Sequence, residues 1–227
     1  MRSLAALLRR WRPLAAPVIF GLFSGLAASA PAKSQDTPGS FDFYVLALSW
    51  SPSFCAGSGD RQGRDQCAIG TRLGFTVHGL WPQYDRGYPS DCSAYTRSPT
   101  RAALEKTEGV YPDIGLARYE WRKHGTCSGK SPGDYFDDVR SARDKVKFPS
   151  AFESPASDQR FSPRDIARAF IAVNSGLHAD NLGVTCRQGR LEEVRICFDR
   201  DLRGFHSCPE VVRQSCRSWD IAVPPVR

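Results

Sequence analysis

The chain has 227 residues, 41% of them hydrophobic and 24% charged, with eight cysteines and a formal charge of +7. That length suits one large or two small domains with a real core, and the composition excludes collagen-like, low-complexity and wholly disordered chains. No two cysteines stand in a C-x-x-C spacing, which disfavours a zinc ribbon or a thioredoxin-like motif.

Arg2, Arg9, Arg10 and Arg12 open the chain, residues 13–32 carry no charge, Leu14–Ala28 is strongly apolar, and small residues follow up to Ala32. This predicts a secretory signal peptide over residues 1–32, cleaved before Lys33. An uncleaved membrane anchor needs about 20 apolar residues and is disfavoured by Pro13, Pro17, Gly21 and Gly25. Removing residues 1–32 takes four of the 31 basic side chains and no acid, leaving 27 against 24, a balance of +3. Net charge is then weak ground for any partner. Export also sets the cysteine chemistry. Eight cysteines in an oxidising compartment imply up to four disulfides, whose pairing sequence alone leaves open. A metal site would need a close cluster of His and Cys ligands, and the sequence has none. The expected location is periplasmic or secreted, with no membrane association once the signal is cleaved.

In the mature chain, residues 33–40 read as a loose polar lead-in to a single domain spanning 33–227. Phe41–Trp50 starts with alternation and becomes almost continuously apolar, as a buried strand does. Residues 55–70 are rich in Gly, Asp, Arg and Gln and read as a loop that a Cys55–Cys67 bond could staple. Residues 74–78 have strand character and are expected to stop at Gly79 and Pro82, and 84–99 form a long loop containing Cys92. A short helix is predicted over 116–126 and a longer one over 131–146, with Tyr135, Phe136 and Val139 on one face. Ser162-Pro163-Arg164-Asp165 is a helix start, with Ser as N-cap, Pro at the first position and Asp closing a capping box. Residues 182–187 and 191–198 flank Gln188-Gly189 as a hairpin. The fold class is α+β: a central antiparallel sheet packed with several helices and stapled by disulfides.

Two histidine segments carry the chemistry. The first is Phe75-Thr76-Val77-His78-Gly79-Leu80-Trp81-Pro82; the second is Tyr119-Glu120-Trp121-Arg122-Lys123-His124-Gly125-Thr126-Cys127. On a helix Glu120, Lys123 and His124 share a face at i, i+3 and i+4, beside Cys127 as an anchor. Imidazoles suit general acid–base work because their pKa lies near ambient pH, and a lysine supplies fixed charge where negative charge grows. Moving phosphorus between oxygens needs this set: a base, an acid and a cation on the non-bridging oxygens. In RNA the attacking hydroxyl is built into the ribose, so proximity replaces a metal-activated water. Plainer readings exist. Glu120 and Lys123 fit an ordinary surface helix pair, Trp81 and Trp121 fit core aromatics, Arg122 fits a solvated helix residue, and His178 and His206 read as structural.

The two segments in this order resemble the active-site segments of the ribonuclease T2 family, secreted endoribonucleases of α+β fold. The likeness extends to Tyr88-Pro89-Ser90-Asp91-Cys92 and to the C-terminal cysteines with Cys208-Pro209, covering roughly residues 41–216. The resemblance implies that His78 is the general acid, that His124 is the base, and that Glu120 and Lys123 surround the phosphate. It implies that Trp81 and Tyr88 stack on the base upstream of the cut. It also implies disulfides Cys92–Cys127, Cys186–Cys216 and Cys197–Cys208, which leaves Cys55–Cys67 as the fourth. Two positions depart from the family. Tyr119 stands where a third, phosphate-binding histidine is usual, and Gln83 stands where some members have an acidic base-reading residue.

The expectation is an endoribonuclease cutting single-stranded RNA through a 2′,3′-cyclic phosphate to 3′-phosphate, with low base specificity. It would act as a monomer with no cofactor and no metal. The rivals are a non-catalytic RNA-binding or recognition protein on the same fold, and a metal hydrolase using Glu120 and His124.

Overall fold

The computed structural model describes residues 36–93 and 98–227. The expected signal peptide lies outside them. Among the described residues the strands are β1 (Phe43–Trp50), β2 (Phe75–Gln83), β3 (Gln159–Phe161), β4 (Leu182–Arg187), β5 (Arg190–Asp199) and β6 (Ile221–Val223). The helices are α1 (Ser51–Phe54), α2 (Arg101–Glu105), α3 (Ile114–Lys123), α4 (Pro132–Asp144), α5 (Pro163–Val173) and α6 (Pro209–Arg213). The fold is α+β.

β2, β1, β5 and β4 lie side by side and antiparallel. β6 pairs antiparallel with β3 and meets the start of β5 in the parallel sense, Arg190 opposite Ala222. β4 and β5 form the expected hairpin. Gln188 and Gly189 at its turn both have positive φ, 51° and 73°, the pairing that a tight two-residue turn between twisted strands demands.

β1 separates the molecule into two faces by simple alternation. Tyr44, Leu46, Leu48 and Trp50 point into the main core, where they join Val194, Ile196 and Phe198 of β5. α3, α4 and α5 supply Trp121, Tyr135, Phe136, Val139, Ile166 and Phe170 to the same core. Phe43 and Val45 point the other way, into a small cluster with Cys197, Cys208, Val211 and the edge of Trp81. Helix starts follow their caps: Asp113, Ser131 and Ser162 each accept a hydrogen bond from the backbone N–H three residues on.

The structure corrects the sequence reading at several points. β2 does not stop at Gly79; it runs through Gly79 and Pro82 to Gln83. Pro82 is tolerated because β2 is an edge strand and the missing N–H breaks no ladder. The alternation does not end there but changes parity. Phe75 and Val77 face the core, then Leu80 does. The shift is a β-bulge, since Ala47 pairs with Gly79 and Leu48 with Val77, leaving His78 without a cross-strand partner. The stretch 55–70, expected as loop, opens with a π-helical turn at Cys55–Gly59 and two 3-10 turns. α3 begins at Ile114 and ends at Lys123, with a 3-10 turn over Gly125–Cys127.

Candidate active site

The bulge in β2 aims His78. An inserted residue bends its strand and re-aims a side chain, and here it places His78, Trp81 and Gln83 on the lining of one cleft. The next residue must be glycine. A Cβ on Gly79 would lie 2.1 Å from Glu120 Oε2 and 2.3 Å from Trp81 Nε1.

α3 packs against β2 and delivers the second segment. Trp121, fully buried, holds the helix on the core beside Tyr135, ring centroids 5.6 Å apart. The Tyr135 hydroxyl donates to the Leu80 carbonyl at 2.8 Å, tying α4 to β2. Glu120, 1% exposed, faces β2, where Trp81 Nε1 donates to its Oε2 at 2.7 Å and His78 Nε2 lies 3.5 Å from its Oε1. His124 caps the helix C-terminus. Gly125 follows because a Cβ there would meet Trp121 at 2.4 Å. Cys127, at the end of the turn, is bonded to Cys92. The Cys55–Cys67, Cys186–Cys216 and Cys197–Cys208 bonds are also present.

β5 contributes residues that the sequence reading missed. Glu193, opposite Ser49 in the sheet, is buried and holds His78 Nδ1 at 2.5 Å through Oε1. Arg195 Nε donates to Glu193 Oε2 at 2.8 Å, and its NH1 donates to Gln214 Oε1 at 2.7 Å. The Arg195 guanidinium also lies 5.3 Å from the Trp81 ring centroid, within cation–π range.

All eight side chains expected at the site line one cleft of about 340 Å³: His78, Trp81, Gln83, Tyr88, Tyr119, Glu120, Lys123 and His124. Val45, Arg195, Val211 and Gln214 complete it. Trp81 adjoins both imidazoles, its ring centroid 5.2 Å from His78 and 5.3 Å from His124. Tyr88 is 56% exposed and its ring is 6.2 Å from His124. Lys123 Nζ donates to the Tyr119 hydroxyl at 3.2 Å, so the residue in the third-histidine position touches the site's cation. Gln83 donates to the Pro82 carbonyl at 2.9 Å. His178 is exposed; His206 stacks on Phe43 with centroids 4.7 Å apart and bonds Asp199, and neither lines the cleft.

The two histidines are driven in opposite directions. Burial alone would lower His78, but the hydrogen bond and charge of Glu193, with the charge of Glu120, outweigh it and hold its pKa above the ordinary imidazole value. His124 is lowered to about 3, by burial first and then by the charges of Lys123 and His78. Its Nδ1 is buried without a hydrogen-bond partner, so the charged form would carry an unpaired buried N–H, a further cost. Burial raises Glu120 to about 7, against the opposing pull of His78, Trp81 and Lys123. Glu193 lies well below the ordinary carboxylate range: burial would raise it, and its bonds to His78 and Arg195 win. A pair of titratable groups whose environments separate their pKa values is the arrangement acid–base catalysis requires.

Cys55, Asp60 and Cys67 are close enough together to suggest metal ligands. Their two sulfurs are bonded to each other, which leaves no thiolate.

The chain matches the model of the ribonuclease T2 family over residues 41–208. It is 34% identical to a ribonuclease of Aeromonas hydrophila over 216 residues, covering 92% of this chain and 98% of the relative. It is 28% identical to ribonuclease I of Escherichia coli, over 84% of this chain and 87% of that one. An RNase-related protein from Calystegia sepium shares the fold, with a TM-score of 0.63 at 24% identity over 82% of this chain and 98% of its own. The chain belongs to the ribonuclease T2 family. It is an endoribonuclease, and RNA is its substrate class.

Proposed function

We propose that the cleft cuts single-stranded RNA by transphosphorylation. His124, neutral, takes the proton of the ribose 2′-hydroxyl. The 2′-oxygen attacks phosphorus, and protonated His78 gives its proton to the departing 5′-oxygen. In the second step the roles reverse: His78 takes a proton from water, the hydroxide opens the 2′,3′-cyclic phosphate, and His124 returns a proton to the 2′-oxygen. Lys123 supplies fixed charge at the non-bridging oxygens, and Glu120 sits where it can share a proton with one of them. The observation that carries this reading is the placement of His78 and His124, each against Trp81, in one cleft with Lys123 and Glu120. The exposed Tyr88 ring, with Trp81 and Gln83, offers the surface for the upstream base, where stacking holds a single strand without strong sequence preference. Four disulfides support an exported, oxidised protein, acting as a monomer. Among the described residues no helix is long and apolar enough to cross a membrane. The test compares matched RNA and DNA strands in buffer and in EDTA. RNA alone should be cut, at the same rate in both; cutting of DNA, or loss of activity in EDTA, overturns the reading.

Glu193 is a positioning residue in this scheme, since it orients His78 and keeps it protonated. A histidine raised by an anionic partner is active as an acid below its pKa and loses that role as pH climbs through it. Glu193→Gln removes the charge, so the alkaline limb of the kcat/KM profile should move to lower pH while the acid limb, set by His124, stays. A uniform drop at every pH, with both limbs in place, would show a structural role only.

A further inference from the structure

His78 also lines a second groove of about 450 Å³, large enough for a nucleotide. Its walls are His78 and Glu193, Ser53 of α1, the turns after α1 with Gly57 and Arg61, and the β4–β5 hairpin with Arg187 and Arg190. Its charges divide simply. Glu193 is taken by His78 and Arg195, and Glu192 by Arg187 at 2.6 Å. Arg61 and Arg190 have no ion-pair partner among the described residues. The Ser53 hydroxyl is buried with no hydrogen-bond partner, and nothing stands within 4 Å of where a Gly57 side chain would begin. Both arginines sit on fixed backbone. Arg61 lies in a 3-10 turn inside the loop closed by Cys55–Cys67, and Arg190 starts β5 where it meets β6.

Two guanidiniums without ion-pair partners, lining one groove with open space over Gly57, are groups that bind a phosphate. Their position beside His78 says which one. The group His78 protonates is the 5′-oxygen of the nucleotide downstream of the cut, and that nucleotide carries the next phosphate on its 3′ side. We propose that this groove binds the phosphate following the leaving nucleotide, through Arg61 and Arg190, so that the enzyme engages the strand one phosphate beyond the bond it breaks. The proposal rests on the assignment of His78 to the leaving oxygen.

The test uses a dinucleoside monophosphate and the same molecule with a 3′-terminal phosphate, cleaved by wild type and by the Arg61→Ala/Arg190→Ala double variant. The extra phosphate should raise wild-type kcat/KM about tenfold, the size of one charge-assisted contact. The double variant should lose that gain and cleave the unphosphorylated compound at the wild-type rate, which also shows that it folds. No gain in wild type, or a gain that survives in the double variant, overturns the proposal. Binding of the 2′-O-methyl forms of both compounds, measured by calorimetry, reads the groove without the chemistry. A phosphate-dependent affinity without any cleavage would therefore fault the catalytic reading and leave the groove standing.

Discussion

His124→Ala should lower kcat/KM about a thousandfold, since a positioned general base is worth about two to four orders of magnitude, with KM little changed. The imidazole is buried and one of its nitrogens bonds nothing, so its loss removes chemistry more than structure. Circular dichroism and a thermal melt check that the variant folds. His78→Ala should cost as much on RNA, and the two are separable by leaving group. A nucleoside 3′-(p-nitrophenyl phosphate) expels a phenolate that needs no proton. His78→Ala should recover most of its rate on that substrate, and His124→Ala should not. A His124→Ala enzyme as fast as wild type would show that His124 is not the base.

Gly79→Ala tests how tightly the site is assembled. The added methyl would sit 2.1 Å from the Glu120 carboxylate and 2.3 Å from the Trp81 indole nitrogen. Glu120 is 1% exposed and bonded to Trp81, so moving its carboxylate breaks that bond inside a packed interior. The carboxylate, the indole or the strand must move, and displacement of about 1 Å in a catalytic constellation costs about a hundredfold. The expected result is that loss in kcat/KM in a protein that still folds. Wild-type activity would show that Glu120 and Trp81 can shift freely, and that their positions do not matter to the rate.

The two histidine segments were legible because each is continuous in the chain and each carries a local signal: a helix spacing for Glu120, Lys123 and His124, and a buried strand leading into His78. The hairpin and the capped start of α5 were legible for the same reason. β2 was cut short at Gly79 because a bulge looks like a broken alternation; only the pairing of Ala47 with Gly79 shows that the strand continues. Glu193 and Arg195 stand at i and i+2 in β5, the pattern of an ordinary solvent-facing side of a strand. What makes them part of the site is sheet register, with Ser49 opposite Glu193 and Ala47 opposite Arg195, which brings Glu193 to His78 across 115 positions of chain. The short elements α2, α6, β3 and β6 have three to five residues each, too few for a hydrophobic period to show.

The central claim is that the ribose 2′-oxygen is the nucleophile. Phosphorus NMR of a dinucleoside monophosphate during cleavage tests it most directly. The predicted result is a 2′,3′-cyclic phosphate that accumulates and then decays to the 3′-phosphate, with the 2′-O-methyl compound left intact. A 5′-phosphate product, or cleavage of the methylated compound, would contradict it.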